Sequence, residues 1–346
     1  MRVVLDVMGG DRAPEVNLAG GADALGRYPT LERLFLVGDK DVIEREAPNH
    51  GLDLSDKRVE VVHAPEVVGM SEPGAKTIRR KKQSSISVGM DLVKAGDAQA
   101  FVSAGNTGAC VAAAQLKLRL IAGIERAGIA TGLPNDFGPC HLLDAGANPE
   151  AKPSHLLGYA IMGAAFSSGV YGVDKPRVGL MSNGEEDEKG TAFTKQTFAM
   201  LKEFEASGRA PFEFVGNIEG HHLFDTKLDV CLCDGFVGNV VLKSCEATAK
   251  TLSKSLKASL TASPLRKLGA LLARGAFAEL KEKMSAEAYG GSPLLGVNGT
   301  VIIAHGGSTA LAIRNAIRTA VESVDHKVNR HIAEALEMIQ RVGQEP

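Results

Sequence analysis

Short apolar runs that break straight into Gly, Asp, Asn or Ser recur along the whole chain. Residues 3–7 meet Met8-Gly9-Gly10-Asp11, and 34–37 meet Gly38-Asp39. Residues 100–102 lead into Ser103-Ala104-Gly105-Asn106-Thr107-Gly108, and 142–143 into Asp144-Ala145-Gly146-Ala147-Asn148. The pattern returns where 178–181 meets Ser182-Asn183-Gly184-Glu185-Glu186, and where 214–215 meets Gly216-Asn217-Ile218-Glu219-Gly220. Residues 228–233 run into Asp234-Gly235-Phe236-Val237-Gly238-Asn239, and 300–304 into His305-Gly306-Gly307-Ser308. Short apolar runs bounded by turn residues, with helical stretches between them, predict buried parallel strands. The intervening pattern predicts helices over 14–26, 73–94, 107–119, 153–166, 189–204, 239–260, 308–324 and 326–340. In open α/β sheets the ligand sits beyond the carboxyl ends of the strands, so these polar loops are expected to surround one site.

One stretch departs from this alternation. Ser263-Pro264 reads as an N-cap followed by proline at the first helical position. Leu265, Leu268, Leu271 and Leu272 follow, with Arg266, Lys267 and Arg274 among them. Gly275 permits a turn, and 276–284 reads as a second short helix carrying Phe277, Leu280 and Met284. The result is a helical hairpin over 263–284 with an apolar stripe and a basic margin. Such a stripe packs against a core or a dimer partner, or it lies in a membrane interface. The loop over 132–139 is a candidate boundary between two lobes, although composition does not shift there.

Composition narrows the function classes. The 346 residues suffice for one large α/β domain or two lobes. A formal net charge of −2 offers no bulk positive field for nucleic acid. Cysteines at 110, 140, 231, 233 and 245 form no C-x-x-C pair, and an odd count suits unpaired thiols in a reducing cytosol. The start leads directly into a strand, so no cleaved leader is expected. No run reaches the ~18–20 apolar residues of a membrane span.

Gly-rich turns after strands let backbone N–H groups approach an anion, and a following helix N-terminus adds favourable partial charge. Gly105-Asn106-Thr107-Gly108, Gly306-Gly307-Ser308-Thr309 and Gly238-Asn239 each open a predicted helix. Tight turns alone also select glycine, so the accumulation carries the argument. Neither G-x-G-x-x-G nor G-x-x-x-x-G-K-[ST] occurs, and no dinucleotide or P-loop site, and no cofactor, is expected. Asp6, Asp11, Asp144, Glu185, Glu219 and Asp234 stand at or just after strand ends, where they cap helices, tie turns or ligate. No metal-ligand spacing such as H-E-x-x-H appears, and no metal is expected. His305 braces its loop or moves protons, and His221-His222 is less specific still. Lys243, one turn into the helix after Asn239, reaches a bound anion or solvent. Arg79-Arg80-Lys81-Lys82 on a continuous helix would cover nearly its whole circumference. Part of that run must then face inward or toward a phosphate or an acidic partner. Gly306-Gly307-Ser308-Thr309-Ala310 loosely matches a nucleophile elbow, which needs an acid and then a histidine later in the fold; only about forty residues follow Ser308 and all read as helix, which gives a serine hydrolase little weight.

Taken in order, these blocks resemble the bacterial phosphate acyltransferases of phospholipid synthesis. The resemblance begins at Leu5-Asp6-Val7-Met8-Gly9-Gly10-Asp11 with Ala13-Pro14, and continues through Arg80-x-Lys82-x-Ser84-Ser85 and residues 101–109 with Ser103, Gly105, Asn106 and Thr107. It includes residues 143–148 with Asn148, then Gly184-Glu185-Glu186 with Lys189-Gly190, and 216–220 with Asn217 and Glu219. Residues 233–239 with Asp234 and Asn239, then Leu242-Lys243, residues 294–297, and His305-Gly306-x-Ser308 complete it over nearly the whole chain. Three positions depart from the family pattern. Arg12 stands where histidine is usual, Ser182 where asparagine is common, and Ala127 follows Arg126 where the family has Arg-Pro.

The resemblance implies transfer of a long-chain acyl group from acyl carrier protein to inorganic phosphate. The acyl phosphate would then serve a membrane glycerol 3-phosphate acyltransferase. It implies a three-layer α/β/α fold of the isocitrate dehydrogenase/phosphotransacetylase type, a homodimer, and peripheral attachment to the inner face of the cell membrane. The hairpin takes the place of the family's membrane-facing tip, with Leu268, Leu271, Leu272 and Phe277 toward lipid. Lys243, His305, Asn106 and Asp234 are then the expected catalytic groups. Asp6, Gly9, Gly10, Asp11, Arg79, Lys82, Ser103, Gly105, Thr107, Asn148, Glu185, Asn217, Glu219, Asn239, Gly306 and Ser308 are the expected phosphate or substrate contacts. The rivals are an acyl-coenzyme A enzyme of the phosphotransacetylase kind, a dehydrogenase of similar fold, and a non-catalytic membrane scaffold.

Overall fold

The structure is a computed structural model that describes residues 1–284 and 290–342 of the chain; side chains of 280–284 and 339–342, and so Leu280 and Met284, lie outside the description. Eleven strands form one sheet in the order β3-β2-β1-β4-β11-β10-β5-β6-β9-β7-β8. The predicted runs appear as β1 (Arg2–Asp6), β2 (Arg33–Gly38), β4 (Ala100–Ser103), β6 (Cys140–Leu143), β7 (Arg177–Met181), β8 (Glu213–Ile218), β9 (Val230–Leu232) and β11 (Thr300–Ile303). Three further strands, β3 (Val59–His63), β5 (Gly128–Leu133) and β10 (Ser292–Leu295), carry weaker apolar patterns.

β1 and β2 are largely apolar because both of their faces are covered. In β1 and β2, Val3, Leu5, Leu34 and Leu36 pack with Leu18 and Leu25 of α1 (Glu15–Arg27) and Ile313 and Ile317 of α12 (Ala310–Asp325). The alternate residues Val4, Phe35 and Val37 pack on the other face with Ile86 and Met90 of α4 (Ser85–Ala95) and Ala109 of α5 (Thr107–Lys117). This is the three-layer α/β/α arrangement. Toward the other end, α6 (Pro153–Tyr171), α7 (Ala192–Ala206) and α13 (Val328–Val342) enclose a second core with Leu143, Val178 and Val230.

The sheet changes direction in the middle, and this corrects the expectation of a single ring of loops. β3, β2, β1, β4 and β11 run parallel. β10 is antiparallel to both β11 and β5, and β5 is antiparallel to β6. β6, β9, β7 and β8 are again parallel to one another. The carboxyl ends of β1, β4 and β11 therefore lie at one edge of the sheet, and those of β6 to β9 at the opposite edge. The stretch 132–139 is the turn of the β5–β6 hairpin within this sheet, where Asn135 donates through Nδ2 to the carbonyls of Leu223 and Thr226.

The predicted helix over 73–94 is two helices. The chain leaves helical geometry at Lys81 after α3 (Gly74–Arg80), and Ser84 caps α4 by accepting from the Ser87 N–H. Lys81 turns inward to the Glu72 carboxylate (2.6 Å) and the Val67 carbonyl, and Arg80 joins Glu72 at 3.3 Å. Arg79 and Lys82 are exposed and make no ion pair among the described residues.

His141 on β6 is buried against the rings of Phe166 and Tyr171 at 5.0 and 5.1 Å. Burial pushes its pKa down to about 4 from an ordinary 6.5, partly offset by a backbone bond to Asp229. Unfolded His141 therefore takes up a proton near pH 6.5, whereas the folded ring stays neutral until about pH 4. Acid pulls the equilibrium toward the unfolded chain across that window, by about 3 kcal/mol in total. Denaturant melts from pH 7 to 4 should show this loss in the wild type and a matching flattening in His141→Leu. Equal pH slopes in the two proteins would place the acid sensitivity elsewhere.

Candidate active site

A cleft of about 450 Å³ opens over the middle of the sheet, where its direction reverses. Ile129, Leu242, Ile303 and Ala304 give it an apolar floor. Thr107, Ser308 and His305 come from the edge that ends β4 and β11; Gly146 comes from the loop after β6, at the opposite edge. Ser292 sits at the start of β10, and Thr131 on β5. Asn239, Lys243 and Glu246 lie on α9 (Gly235–Leu260). A largely apolar cleft with a few convergent polar groups is the usual form of a small-molecule site.

Helix α9 connects the two edges. It starts at Asp234, whose carboxylate accepts from the Val237 N–H at 2.7 Å. The Gly235 N–H donates to the Asn148 carbonyl, and a Cβ on Gly238 would fall 1.9 Å from the Asp144 carbonyl oxygen. Two turns later its side chains reach the loop after β11: the Lys243 ammonium donates to Glu246 at 2.8 Å, and the same Glu246 oxygen lies 3.8 Å from His305 Nε2. His305 Nδ1 accepts the Gly307 N–H at 3.0 Å. A neutral imidazole bound in that way carries its proton on Nε2. His305 thus offers the cleft a donor, and its Nδ1 is not free to act as a base.

The loop after β6 is built on Asp144, which is fully buried. Its Oδ1 accepts from the N–H groups of Ile129, Gly146 and Ala147, and its Oδ2 from the N–H and the carboxamide of Asn148. Asn148 also donates to the Ala127 carbonyl and to Tyr159 Oη, so its amide is held in the scaffold.

At the other edge, Asp6 and Ser103 are buried beneath the loops. Ser103 Oγ donates to Asp6 Oδ2 at 2.7 Å and accepts the Gly105 N–H at 2.9 Å. Burial raises the Asp6 pKa, and hydrogen bonds from Ser103, Ser85, Met8 and Gly9 offset part of that rise. Gly9 must be glycine here, since a Cβ would lie 2.5 Å from Asp6 Oδ2 and 2.7 Å from the Gly105 nitrogen. Gly10 adopts φ 110°, and the Asp11 N–H donates to the Gly306 carbonyl at 2.8 Å. These residues fix the 8–11, 103–106 and 304–308 loops against one another.

Two expected catalytic side chains have structural duties. Asn106 caps α5 by accepting from the Ala109 N–H, while its amide donates to the carbonyls of Gly69, Met70 and Glu72. Asp234 is the cap of α9 described above. Neither side chain lines the cleft.

Glu185, Asn217 and Glu219 stand apart. Asn217 is the penultimate residue of β8, and Glu185 and Glu219 follow β7 and β8, at the end of the sheet and on the edge opposite to Asp6, Ser103 and Gly306. Asn217 donates to the Glu186 carbonyl, and Glu185 pairs with His222 at 3.3 Å. Glu185, His221 and His222 bring ligand atoms within 4.8 Å of one another. His222 Nδ1, however, accepts the Glu219 N–H, which leaves the proton on the Nε2 that faces Glu185. That is a hydrogen-bonded cluster in a tautomer unsuited to ligation through Nε2.

Sequence reasoning missed Glu246, Ser292 and Thr131. Glu246 had a usable signal: it is three residues beyond Lys243 and so shares its helix face. Ser292 had none, because its place depends on an antiparallel strand inserted from far along the chain.

Residues 1–331 match the family model described as "Fatty acid synthesis protein". The chain is 56% identical over 336 residues to a phosphate acyltransferase of Akkermansia muciniphila, covering 97% of this chain and 96% of that protein. It is 45% identical over 340 residues to one of Geobacter sulfurreducens, covering 97% and 94%. Among solved structures, the EutD phosphotransacetylase from Staphylococcus aureus superposes with a TM-score of 0.58 at 15% identity, covering 97% of this chain and 94% of that one. A branched-chain phosphotransacylase from Enterococcus faecalis superposes at 0.55 and 14% identity, covering 94% and 100%. The structural likeness establishes a shared fold, and near-full-length identity of this order establishes that the chain belongs to the phosphate acyltransferase family.

Proposed function

We propose that this acyltransferase moves a long-chain acyl group from the thioester of acyl carrier protein to inorganic phosphate, in the cleft between α9 and the sheet. The observation that carries this reading is the convergence of the Lys243 ammonium and the His305 Nε2–H over an apolar floor. Phosphate needs cationic and N–H donors, and a fatty acyl chain needs apolar surface. Lys243 holds phosphate charge, with Ser308 Oγ, Thr107 Oγ1 and the Asn239 amide as further polar contacts. A phosphate oxygen attacks the thioester carbonyl. His305 Nε2–H stabilises the oxyanion that forms on the carbonyl oxygen. The new C–O bond replaces the C–S bond, and the proton of hydrogen phosphate passes to the departing thiolate. No covalent enzyme intermediate is required; positioning and charge stabilisation supply the rate. Asp6, Ser103, Gly9, Gly10, Gly105, Asp11 and Gly306 serve by setting the loop geometry.

The test is product formation by the purified chain from inorganic phosphate and each of two donors, palmitoyl-acyl carrier protein and palmitoyl-coenzyme A. The reading expects phosphate-dependent loss of the carrier-protein thioester. Turnover with the coenzyme A donor alone would assign the enzyme to the phosphotransacetylase kind, and no turnover with either would leave a scaffold. Arg79 and Lys82, exposed and without ion partners among the described residues, are the proposed contacts for the acidic carrier.

The second half of the reading is a homodimer attached to the membrane surface beside a membrane glycerol 3-phosphate acyltransferase, and the hairpin supports the attachment. No helix among the described residues is long and apolar enough to cross a membrane. In α10 (Pro264–Leu272), Leu265, Leu268, Leu271 and Leu272 are 79%, 55%, 63% and 82% exposed, and the helix buries no residue; Phe277 of α11 (Arg274–Met284) is half-buried. Each such leucine moved out of water contributes roughly 1.5–3 kcal/mol, and each basic headgroup contact about 1 kcal/mol. The sum suits reversible attachment. Leu271→Glu with Leu272→Glu should release the protein from anionic vesicles in flotation while leaving its melting temperature unchanged. Unfolding of this variant, or a change in its oligomeric state, would assign the stripe to packing.

A further inference from the structure

The mechanism above leaves one charged group of the cleft without a duty. Glu246 is about one-third exposed, lines the cleft, and directs one oxygen at both Lys243 Nζ (2.8 Å) and His305 Nε2 (3.8 Å). The imidazole tautomer fixed by Gly307 puts a hydrogen on that Nε2, so both neighbours are donors. A single anionic oxygen between two convergent donors is the contact that a phosphate oxygen would make. We infer that Glu246 is a placeholder: its carboxylate holds the position between Lys243 and His305 that a phosphate oxygen would take, and must give way when phosphate binds.

This rests on the phosphate-transfer reading and deepens it. The cost follows from charge. Phosphate must displace a carboxylate from Lys243 and then sit beside it, and a dianion a few ångströms from a carboxylate is repelled even when solvent screens the pair. The family chemistry gains from such an arrangement because Lys243 never points bare into an apolar-floored cleft. A lone ammonium there would seek the nearest anion or swing to solvent; held by Glu246, it keeps its head beside His305. The i, i+3 spacing makes the holder part of the same helix face, so the donor and its temporary partner are placed by one rigid element. No bond is made or broken by Glu246, and it does not touch the acyl carbon.

The experiment compares wild type with Glu246→Gln in the full chain. Phosphate binding is measured by calorimetric titration with inorganic phosphate alone, and the phosphate KM is measured with the acyl donor that supports turnover. The placeholder predicts that Glu246→Gln binds phosphate more tightly and lowers its KM, roughly five- to tenfold by the screened Coulomb repulsion removed. Glu246→Asp, which keeps the charge but withdraws it by one methylene, should fall between. The gain should shrink in a Lys243→Gln background, because there is no ammonium left to release and only the repulsion between the carboxylate and phosphate is removed. Melting curves in phosphate-free buffer show whether each variant is folded. Unchanged or weaker phosphate affinity in folded Glu246→Gln overturns the inference. So does a fall in kcat with KM unchanged, which would make Glu246 a proton carrier instead. If phosphate binds neither the wild type nor the variant, the phosphate-transfer reading itself fails and takes the placeholder with it; a wild type that binds phosphate alongside an unresponsive variant sinks the placeholder alone.

Discussion

Gly238→Ala is expected to lose about a hundredfold in kcat/KM, because the new methyl group must push α9 off the loop that seats it. A Cβ at this position would lie 1.9 Å from the Asp144 carbonyl oxygen and 2.9 Å from Cys233 Sγ. Neither atom can yield: the Asp144 backbone is held by the bonds of its own side chain, and Cys233 is buried. Relief comes from moving the helix by about an ångström, and the helix carries Asn239, Lys243 and Glu246. Misplacement on that scale is enough to cost two orders of magnitude when catalysis depends on positioning. Gly26→Ala in α1, where nothing lies within 4 Å of the added methyl, is the matched control and should keep wild-type turnover. Steady-state rates of the two variants decide the matter; full activity in Gly238→Ala would mean that the cleft tolerates a displaced α9.

Asp144→Asn should lower the stability of the chain by about 3 kcal/mol and activity with it. Both carboxylate oxygens accept, three backbone N–H groups at one and the Asn148 N–H and amide at the other. Asparagine has one acceptor. Whichever way it is turned, its NH2 meets buried donors, leaving them without partners and adding a donor that has none. Urea midpoints of the two proteins measure the difference. A shift below about 1 kcal/mol would show that the 144–148 loop re-forms around the amide or is wetted by solvent.

The sheet was legible wherever a strand was buried on both faces. Val3 to Leu5 and Leu34 to Val37 can be read because no polar residue interrupts them, and the contacts of Val4 and Leu5 with opposite helix layers give the reason. Direction was not legible. An apolar run looks the same whichever way its strand points, so nothing at Gly128–Leu133 or Ser292–Leu295 signalled the reversal that sends the loops after β6 to β9 to the far edge. The break at Lys81 had no glycine or proline to mark it; Ser84, a good cap, was its one sign. In the candidate site, Lys243, His305, Thr107, Asn239 and Ser308, all legible as loop or helix-start positions, line one cleft. Glu185, Asn217 and Glu219 join them only if every strand points the same way, and β7 and β8 run opposite to β1, β4 and β11. Asn106 and Asp234 had residue types that serve equally as caps and as catalytic groups, and only the partner atoms distinguish the two.

The order of strands also sets when the cleft can come into being during synthesis. Ala100 of β4 pairs with Thr300 of β11, and Ile129 of β5 pairs with Leu294 of β10. Until the last strands leave the ribosome, the two halves of the sheet each keep an open apolar edge at the position where they will meet. Pairing so distant in sequence makes closure a late and slow event. The nascent chain therefore holds the middle of its future sheet as two exposed β edges, the surfaces most prone to pair with another chain. A chaperone that shields β4 and β5 until β10 and β11 arrive would act in part on β5, whose Ile129 later belongs to the floor of the cleft.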